Sequence, residues 1–236
     1  MQPIYHSYQQ IQQFTADAAH ELRTPLAATQ ATVESALRLY SFAPETQDIL
    51  SAIERQNRRL TQLVTDLLLL ARMEKQQLSI RDPCCLNDLV SDLVEELAPL
   101  AIASDIQLTA NLKIDKPLNV LGNESQLYQL ISNLIINAIQ YTPRGGRITV
   151  SLERGNNHAL ISIQDTGIGI DESEQRQIFE RFYRVNSDRS RVTGGSGLGL
   201  AIALVIVQAH KGSLQVQSQL GKGSTFTVRL PLAVIH

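Results

Sequence analysis

The chain has 236 residues, 43% of them hydrophobic, and its 21 basic and 23 acidic side chains leave a net charge of −2. This length admits one large domain or two small ones with a real core. The charge balance excludes the basic footprint of a nucleic-acid binder and any acidic tail. Two adjacent cysteines, Cys84-Cys85, are too few for a disulfide framework or a cysteine-rich metal site and fit a linker of a reduced cytosolic protein.

The N-terminal MQPIYHSYQQ lacks the apolar segment of a signal peptide. The most apolar runs, LVTDLLLLA and LGLAIALVIVQA, fall short of the roughly 20 residues that a membrane span needs. The expectation is a cytoplasmic chain with no membrane segment, or the cytosolic part of a membrane-anchored protein.

From about Ile4 to Glu74 there is no glycine, and the pattern reads as two helices. In the first, Ile4, Tyr8, Ile11, Thr15, Ala18, Leu22, Pro25, Thr29, Thr32, Ala36 and Leu39 recur at alternating steps of four and three. In the second, Ile49, Ile53, Gln56, Leu60, Leu63, Leu67, Leu70 and Glu74 form a heptad seam, flanked by Val64, Leu68 and Ala71. SFAPE, Ser41 to Glu45, is a short turn that packs the two antiparallel. One hairpin leaves part of such wide stripes in water. Two hairpins pairing as a four-helix bundle would cover them, so a homodimer through the hairpin is expected; packing against a second domain of the same chain is the alternative.

Asp82-Pro83 ends the helical region. Beyond it, β-like runs at Ile106–Leu112, Arg147–Glu153, Ala159–Gln164, Ser213–Ser218 and Thr225–Leu230 alternate with helical stretches near Leu86–Ala103, Glu124–Gln140 and Leu198–Ala209. The expected organisation is an all-α hairpin over 1–76, a linker over 77–86, and an α+β domain over 87–236.

Within the first helix, AAHELRTPLAA carries a proline where continuous helix is expected. Pro25 lacks the N–H that would bond the carbonyl of Glu21, at a cost of about 3 kcal/mol. Stepping by sevens from His20 gives a polar lane, so His20 faces solvent, with Asp17 and Thr24 one turn away on either side. Such an imidazole is either an ordinary surface residue or a nucleophile whose ring proton Glu21 takes. The full string FTADAAHELRTPL, Phe14 to Leu26, closely resembles the phospho-acceptor segment, or H box, of the sensor histidine kinases.

The second half carries three glycine clusters: DTGIGI (Asp165 to Ile170), TGGSGLGL (Thr193 to Leu200) and GKGSTF (Gly221 to Phe226). Each alone is either a turn or an anion cradle, since backbone N–H groups at a helix start bind phosphate and glycine permits close approach. In NLIINAIQY, Asn133 and Asn137 lie one helical turn apart, and their amide oxygens suit a hydrated Mg²⁺, which needs few protein ligands. Taken in order, these elements resemble the ATP-binding domain shared by gyrase, a heat-shock chaperone, mismatch-repair ATPases and histidine kinases. Asn133 and Asn137 match its N box, and Asp165, Gly167 and Gly169 its first glycine box. IFERFYR, Ile178 to Arg184, matches the kinases' F box. Gly195, Gly197 and Gly199, around Leu198, match the second glycine box, and Thr225 the polar residue near the adenine.

That resemblance implies a mixed-sheet sandwich with ATP between sheet and helices. Asn137 would ligate Mg²⁺, Asp165 would accept from the adenine amino group, Asn133 and Tyr141 would line the pocket, and Arg184 would reach the terminal phosphate. Residues from about Asp171 to Ser196 would cover the phosphates as a lid. ATP would phosphorylate His20 with Glu21 as base, and the phosphoryl group would pass to an aspartate of a response-regulator receiver domain. Thr24 completes H-E-x-x-T, which in this family marks kinases that also dephosphorylate that partner. Gln140 departs from the Lys or Arg common before the tyrosine. The alternatives are a catalytically silent dimeric scaffold and a non-kinase ATPase of the same superfamily.

Overall fold

The computed structural model describes residues 22–40, 42–73, 82–112, 116–185 and 196–233. The chain divides into two compact units, 1–76 and 77–236.

In the first unit, a helix α1 over residues 22–39 is followed by helix α2, Pro44–Met73. Pro44 occupies the first helical position, where its missing N–H breaks no bond. The two helices run antiparallel, fastened at matched levels. Leu26 packs on buried Val64 and Leu68, and Arg58 reaches both Glu34 and, within its own helix, Glu54.

The flanking stripe Val64, Leu68 and Ala71 is the hairpin's own interior, each residue less than a tenth exposed. The upper part of the heptad seam faces out instead: Ile49 is 60% exposed, Ile53 44% and Leu60 49%. Leu70, three heptads further on, is buried.

The second unit begins with strand β1, Pro83–Cys85, paired antiparallel with β3, Asn119–Leu121. Residues 83–85, expected in the linker, are therefore sheet, and Cys84 is buried with its thiol pushed up to about 11 by desolvation. Both strands are only three residues long, too short for an alternating pattern to show. Helix α3 is Leu86–Ala103 and helix α4 is Glu124–Tyr141. Asn123 caps α4, its side chain accepting from the Gln126 N–H at 3.0 Å, a device that contributes about 1 kcal/mol.

The remaining strands are β2 (Gln107–Asn111), β4 (Arg147–Arg154), β5 (His158–Asp165), β6 (Ser213–Gln219) and β7 (Gly223–Pro231). They form one sheet in the order β2-β4-β5-β7-β6, with only β2 and β4 parallel. A one-turn 3-10 helix, Gln177–Phe179, and helix α5, Gly199–Ala209, separate β5 from β6.

Burial alternates along each long strand, as a sheet with one covered face requires. Ile148, Val150, Leu152, Ile161, Ile163, Phe226 and Val228 are buried, whereas Thr149, Gln164, Thr225 and Thr227 line the other face. Helices α3, α4 and α5 cover the apolar side and complete the expected α+β sandwich. Each fully buried aliphatic side chain contributes about 1.5–3 kcal/mol. One buried polar residue ties the helical layer together. His210, at the end of α5, accepts the Asn123 N–H on Nε2 at 3.1 Å while Nδ1 lies 2.8 Å from the Ile206 carbonyl. Nε2 can accept only if Nδ1 carries the proton, so the ring is neutral, and burial holds it below the usual histidine range.

Candidate nucleotide-binding site

Asp165 ends β5 on the covered face and is 6% exposed. Its Oδ1 accepts the N–H of Gly167 at 2.7 Å and of Ser224 at 3.2 Å. Oδ2 has no partner among the described residues. Desolvation pushes the carboxyl above the ordinary aspartate range, against the pull of those two N–H groups. A buried carboxylate with one oxygen held and the other open is an acceptor waiting for an N–H donor.

The glycines around it are set by close backbone approach. A Cβ on Gly167 would lie 2.5 Å from the Tyr141 carbonyl, at the end of α4. That same carbonyl accepts the Ile168 N–H at 3.1 Å, so the glycine loop is sewn to the helix. Gly169, at φ +70°, passes within reach of the β6–β7 turn, where a Cβ would meet the Gln219 carbonyl at 2.0 Å. Only glycine takes that conformation and that space together.

Asn133 and Asn137 are half-buried on one face of α4. Asn133 Nδ2 donates to the Gly199 carbonyl at 3.2 Å, joining α4 to the first turn of α5. The Asn137 side chain makes no hydrogen bond among the described residues and is available as an oxygen ligand. Leu198, fully buried, precedes α5, and no side chain among the described residues caps that helix, whose first N–H groups are the kind that bind an anion. Gly197, at φ +72°, accepts the Phe182 N–H at 2.9 Å, which joins the F box to the second glycine box. Phe182 itself takes a left-handed φ of 63°, a conformation that bulky residues avoid unless their surroundings impose it.

Arg184 follows, half-buried. Thr24 lies exposed on α1. His20, Glu21 and Gly195 lie outside the described residues.

Thr225 pairs with Gln164 across the sheet, on the face opposite Asp165. Its neighbour Ser224, which the sequence reading passed over, is the buried residue beside the carboxylate. The period-2 count was the available signal, because Ser224 and not Thr225 shares a face with the buried Phe226. A cavity of about 300 Å³ runs along Gln164, Gln217, Gln219 and Thr225 and touches Asp165 and Ser224 from the open side of the sheet. It includes no residue of α4 or α5.

Two family models match the chain. Residues 10–76 match the His Kinase A (phospho-acceptor) domain, and residues 122–234 the histidine kinase-, DNA gyrase B-, and HSP90-like ATPase. Sensor histidine kinase RppB of Synechocystis sp. is 60% identical over 235 residues, covering 98% of this chain and 51% of RppB. The chain belongs to the sensor histidine kinases. Sensor-like histidine kinase SenX3 of Mycolicibacterium smegmatis is 35% identical over 221 residues, covering 92% of this chain and 56% of SenX3. The crystal structure of full-length ShkA in complex with AMPPNP superposes with a TM-score of 0.80 at 26% identity, over 94% of this chain and 46% of that one. The histidine kinase core described here thus spans about half the length of the curated relatives it matches. No helix among its described residues is long and apolar enough to cross a membrane.

Proposed function

We propose that this kinase core transfers the γ-phosphoryl group of ATP to His20 and then to an aspartate of a response-regulator receiver domain. The observation that carries the nucleotide reading is Asp165, a buried carboxylate with Oδ1 held by two backbone N–H groups and Oδ2 open. The adenine 6-amino group is the donor that satisfies it.

In the first transfer a nitrogen of the His20 ring forms the bond to phosphorus. The bond to the β–γ bridging oxygen breaks, ADP leaves with the electron pair, and Glu21 takes the ring proton. The open N–H groups at the start of α5, around Gly195, Gly197, Leu198 and Gly199, hold the phosphates, and Arg184 reaches the terminal one. Asn133 and Tyr141 line the pocket. Asn137 would supply one side-chain oxygen to Mg²⁺, which needs few protein ligands. This fits an uncommitted amide among described residues that include no cluster of three metal-ligating side chains. When bound, Mg²⁺ offsets the charge on the phosphates.

The domains are a phosphotransfer hairpin over 1–76 and an ATP-binding domain that takes in the strand Pro83–Cys85 and runs to 236. The exposed seam of Ile49, Ile53 and Leu60 supports homodimerisation through the hairpin. Thr24, exposed one turn from His20, orients the water that hydrolyses the partner's acyl phosphate. The core works in the cytoplasm, alone or as the cytosolic part of a membrane-anchored sensor.

Incubation with γ-labelled ATP tests this reading. Acid-labile label on the protein supports it, free phosphate alone points to an ATPase, and no turnover points to a silent scaffold.

A further inference from the structure

The Asp165 carboxylate is surrounded by three backbone segments: the glycine loop after β5, the end of β6, and the start of β7. One hydroxyl joins all three. Ser218 Oγ lies 2.8 Å from the Ile170 N, 3.0 Å from the Gly223 O and 2.9 Å from the Ser224 Oγ. A serine hydroxyl has one proton and two lone pairs. A single assignment satisfies all three contacts. Ser218 donates to the Gly223 carbonyl, accepts the Ile170 N–H, and accepts the hydroxyl proton of Ser224.

That assignment fixes the polarity beside Asp165. Ser224 gives its N–H to Asp165 Oδ1, but its O–H is directed to Ser218 and away from the carboxylate. Gln175 holds the same corner from the other side. Its Nε2 donates to the Ser218 carbonyl at 2.9 Å and to the Ile170 carbonyl at 3.3 Å. Ile170 is thereby gripped at both its N–H and its C=O by side chains, which keeps the glycine loop at a set distance from the β7 segment.

We infer that Ser218 is a positioning residue for base selection: by drawing the Ser224 hydroxyl proton to itself, it keeps Asp165 Oδ2 open to a ligand N–H and so sets the preference for adenine over guanine nucleotides. Without the Ser218 hydroxyl, the Ser224 O–H loses its acceptor and is free to turn to the neighbouring carboxylate, whose Oδ1 already accepts the Ser224 N–H. An aspartate that already accepts a hydroxyl proton gains less from the adenine amino group and still repels nothing in guanine that it did not repel before. ATP affinity then falls while GTP affinity holds. This inference rests on the reading of Asp165 as the adenine acceptor.

The test is competitive titration of ATP and GTP against a fluorescent ATP analogue, with wild type, Ser218→Ala, Ser218→Thr and Ser224→Ala. Wild-type preference for ATP tests the adenine reading itself; its absence overturns both that reading and the role of Ser218. Given that preference, Ser218→Ala should lower the ATP-to-GTP ratio by about tenfold, the loss of roughly one hydrogen bond to a charged group. Ser218→Thr keeps the hydroxyl and should keep the ratio. Ser224→Ala removes the competing proton, so the double variant Ser218→Ala/Ser224→Ala should recover most of the ratio. A purely structural serine would weaken both nucleotides equally in Ser218→Ala, with no recovery in the double variant. Equal weakening, or an unchanged ratio, overturns the inference.

Discussion

Asn57, buried in the middle of α2, donates from Nδ2 to the carbonyl of Leu26 at 2.9 Å. The bond joins the two helices of the hairpin immediately after Pro25, six residues from His20. A polar group at 5% exposure is tolerated because it is paired, and the pairing fixes which level of α2 faces the proline.

Asn57→Ala should therefore lower the stability of the helical unit by about 0.5–1.5 kcal/mol, the usual net contribution of one hydrogen bond. Calorimetry of the whole chain, in which the two units can melt as separate transitions, should show the lower Tm in one transition only. A shift in both would mean that Asn57 does not act within the hairpin alone.

His20→Gln should abolish autophosphorylation and leave ATP affinity within about twofold of wild type. His20 belongs to the 1–76 unit, whereas the residues proposed to bind ATP belong to the other. Titration with the fluorescent ATP analogue checks the second half of this expectation, and a large loss of binding would contradict it.

Thr24→Ala should retain autophosphorylation while slowing dephosphorylation of the partner. The kinase step needs the ring nitrogen and its base, whereas hydrolysis needs a placed water. Purified phospho-partner with ADP and Mg²⁺ provides the assay, and an unchanged hydrolysis rate rules out a water-orienting role for Thr24.

Asp165→Asn should stabilise the nucleotide-free domain and weaken ATP roughly 10- to 150-fold. Burial raises the folded-state pKa of this carboxyl above its unfolded value. Its favourable contribution is thus complete below the unfolded pKa and is lost as pH rises through the folded one, so at neutral pH the buried carboxylate opposes folding. An amide keeps an oxygen for the Gly167 and Ser224 N–H groups without the charge. The gain should be about 0.5–2 kcal/mol, measured as Tm without nucleotide. Because the amide can also donate, the gap between ATP and GTP should narrow.

The second unit should lose stability as pH falls below about 6.5, and His210 should be a principal cause. Its folded-state pKa is depressed, so the unfolded chain takes up the proton first. The stability it contributes is present above the unfolded pKa and declines as pH falls toward the folded one. Protonated, the ring would point a second N–H at that of Asn123, where it now accepts. His210→Gln should be less stable at pH 7.5 and show a flatter Tm profile between pH 7.5 and 5.5. A profile as steep as wild type would assign the titration elsewhere.

Much of the architecture was legible along the chain because it is written in local periodicity. The alternation of β4, β5 and β7 reflects one buried face meeting water at the opposite one, the unbroken apolar run of α5 reflects burial on most sides, and the heptad steps of α2 marked a helix without marking its buried face. The short strands β1 and β3 were not legible, because three residues carry no period and only their mutual pairing makes them strands. The glycine spacing marked the loops beside Asp165, since residues such as Gly167 and Gly169 answer to backbone approach that no other residue permits. Which stripe of α2 the hairpin buries was a tertiary outcome, decided by what α1 covers. The same holds for Ser224 and Ser218. Sequence placed several polar residues near the last glycine box, but only the register of β7 against β5 and β6 determined which serine lies beside Asp165 and which one receives that serine's hydroxyl proton. Hydrogen-bond direction depends on where each lone pair points, and that is decided when the strands meet.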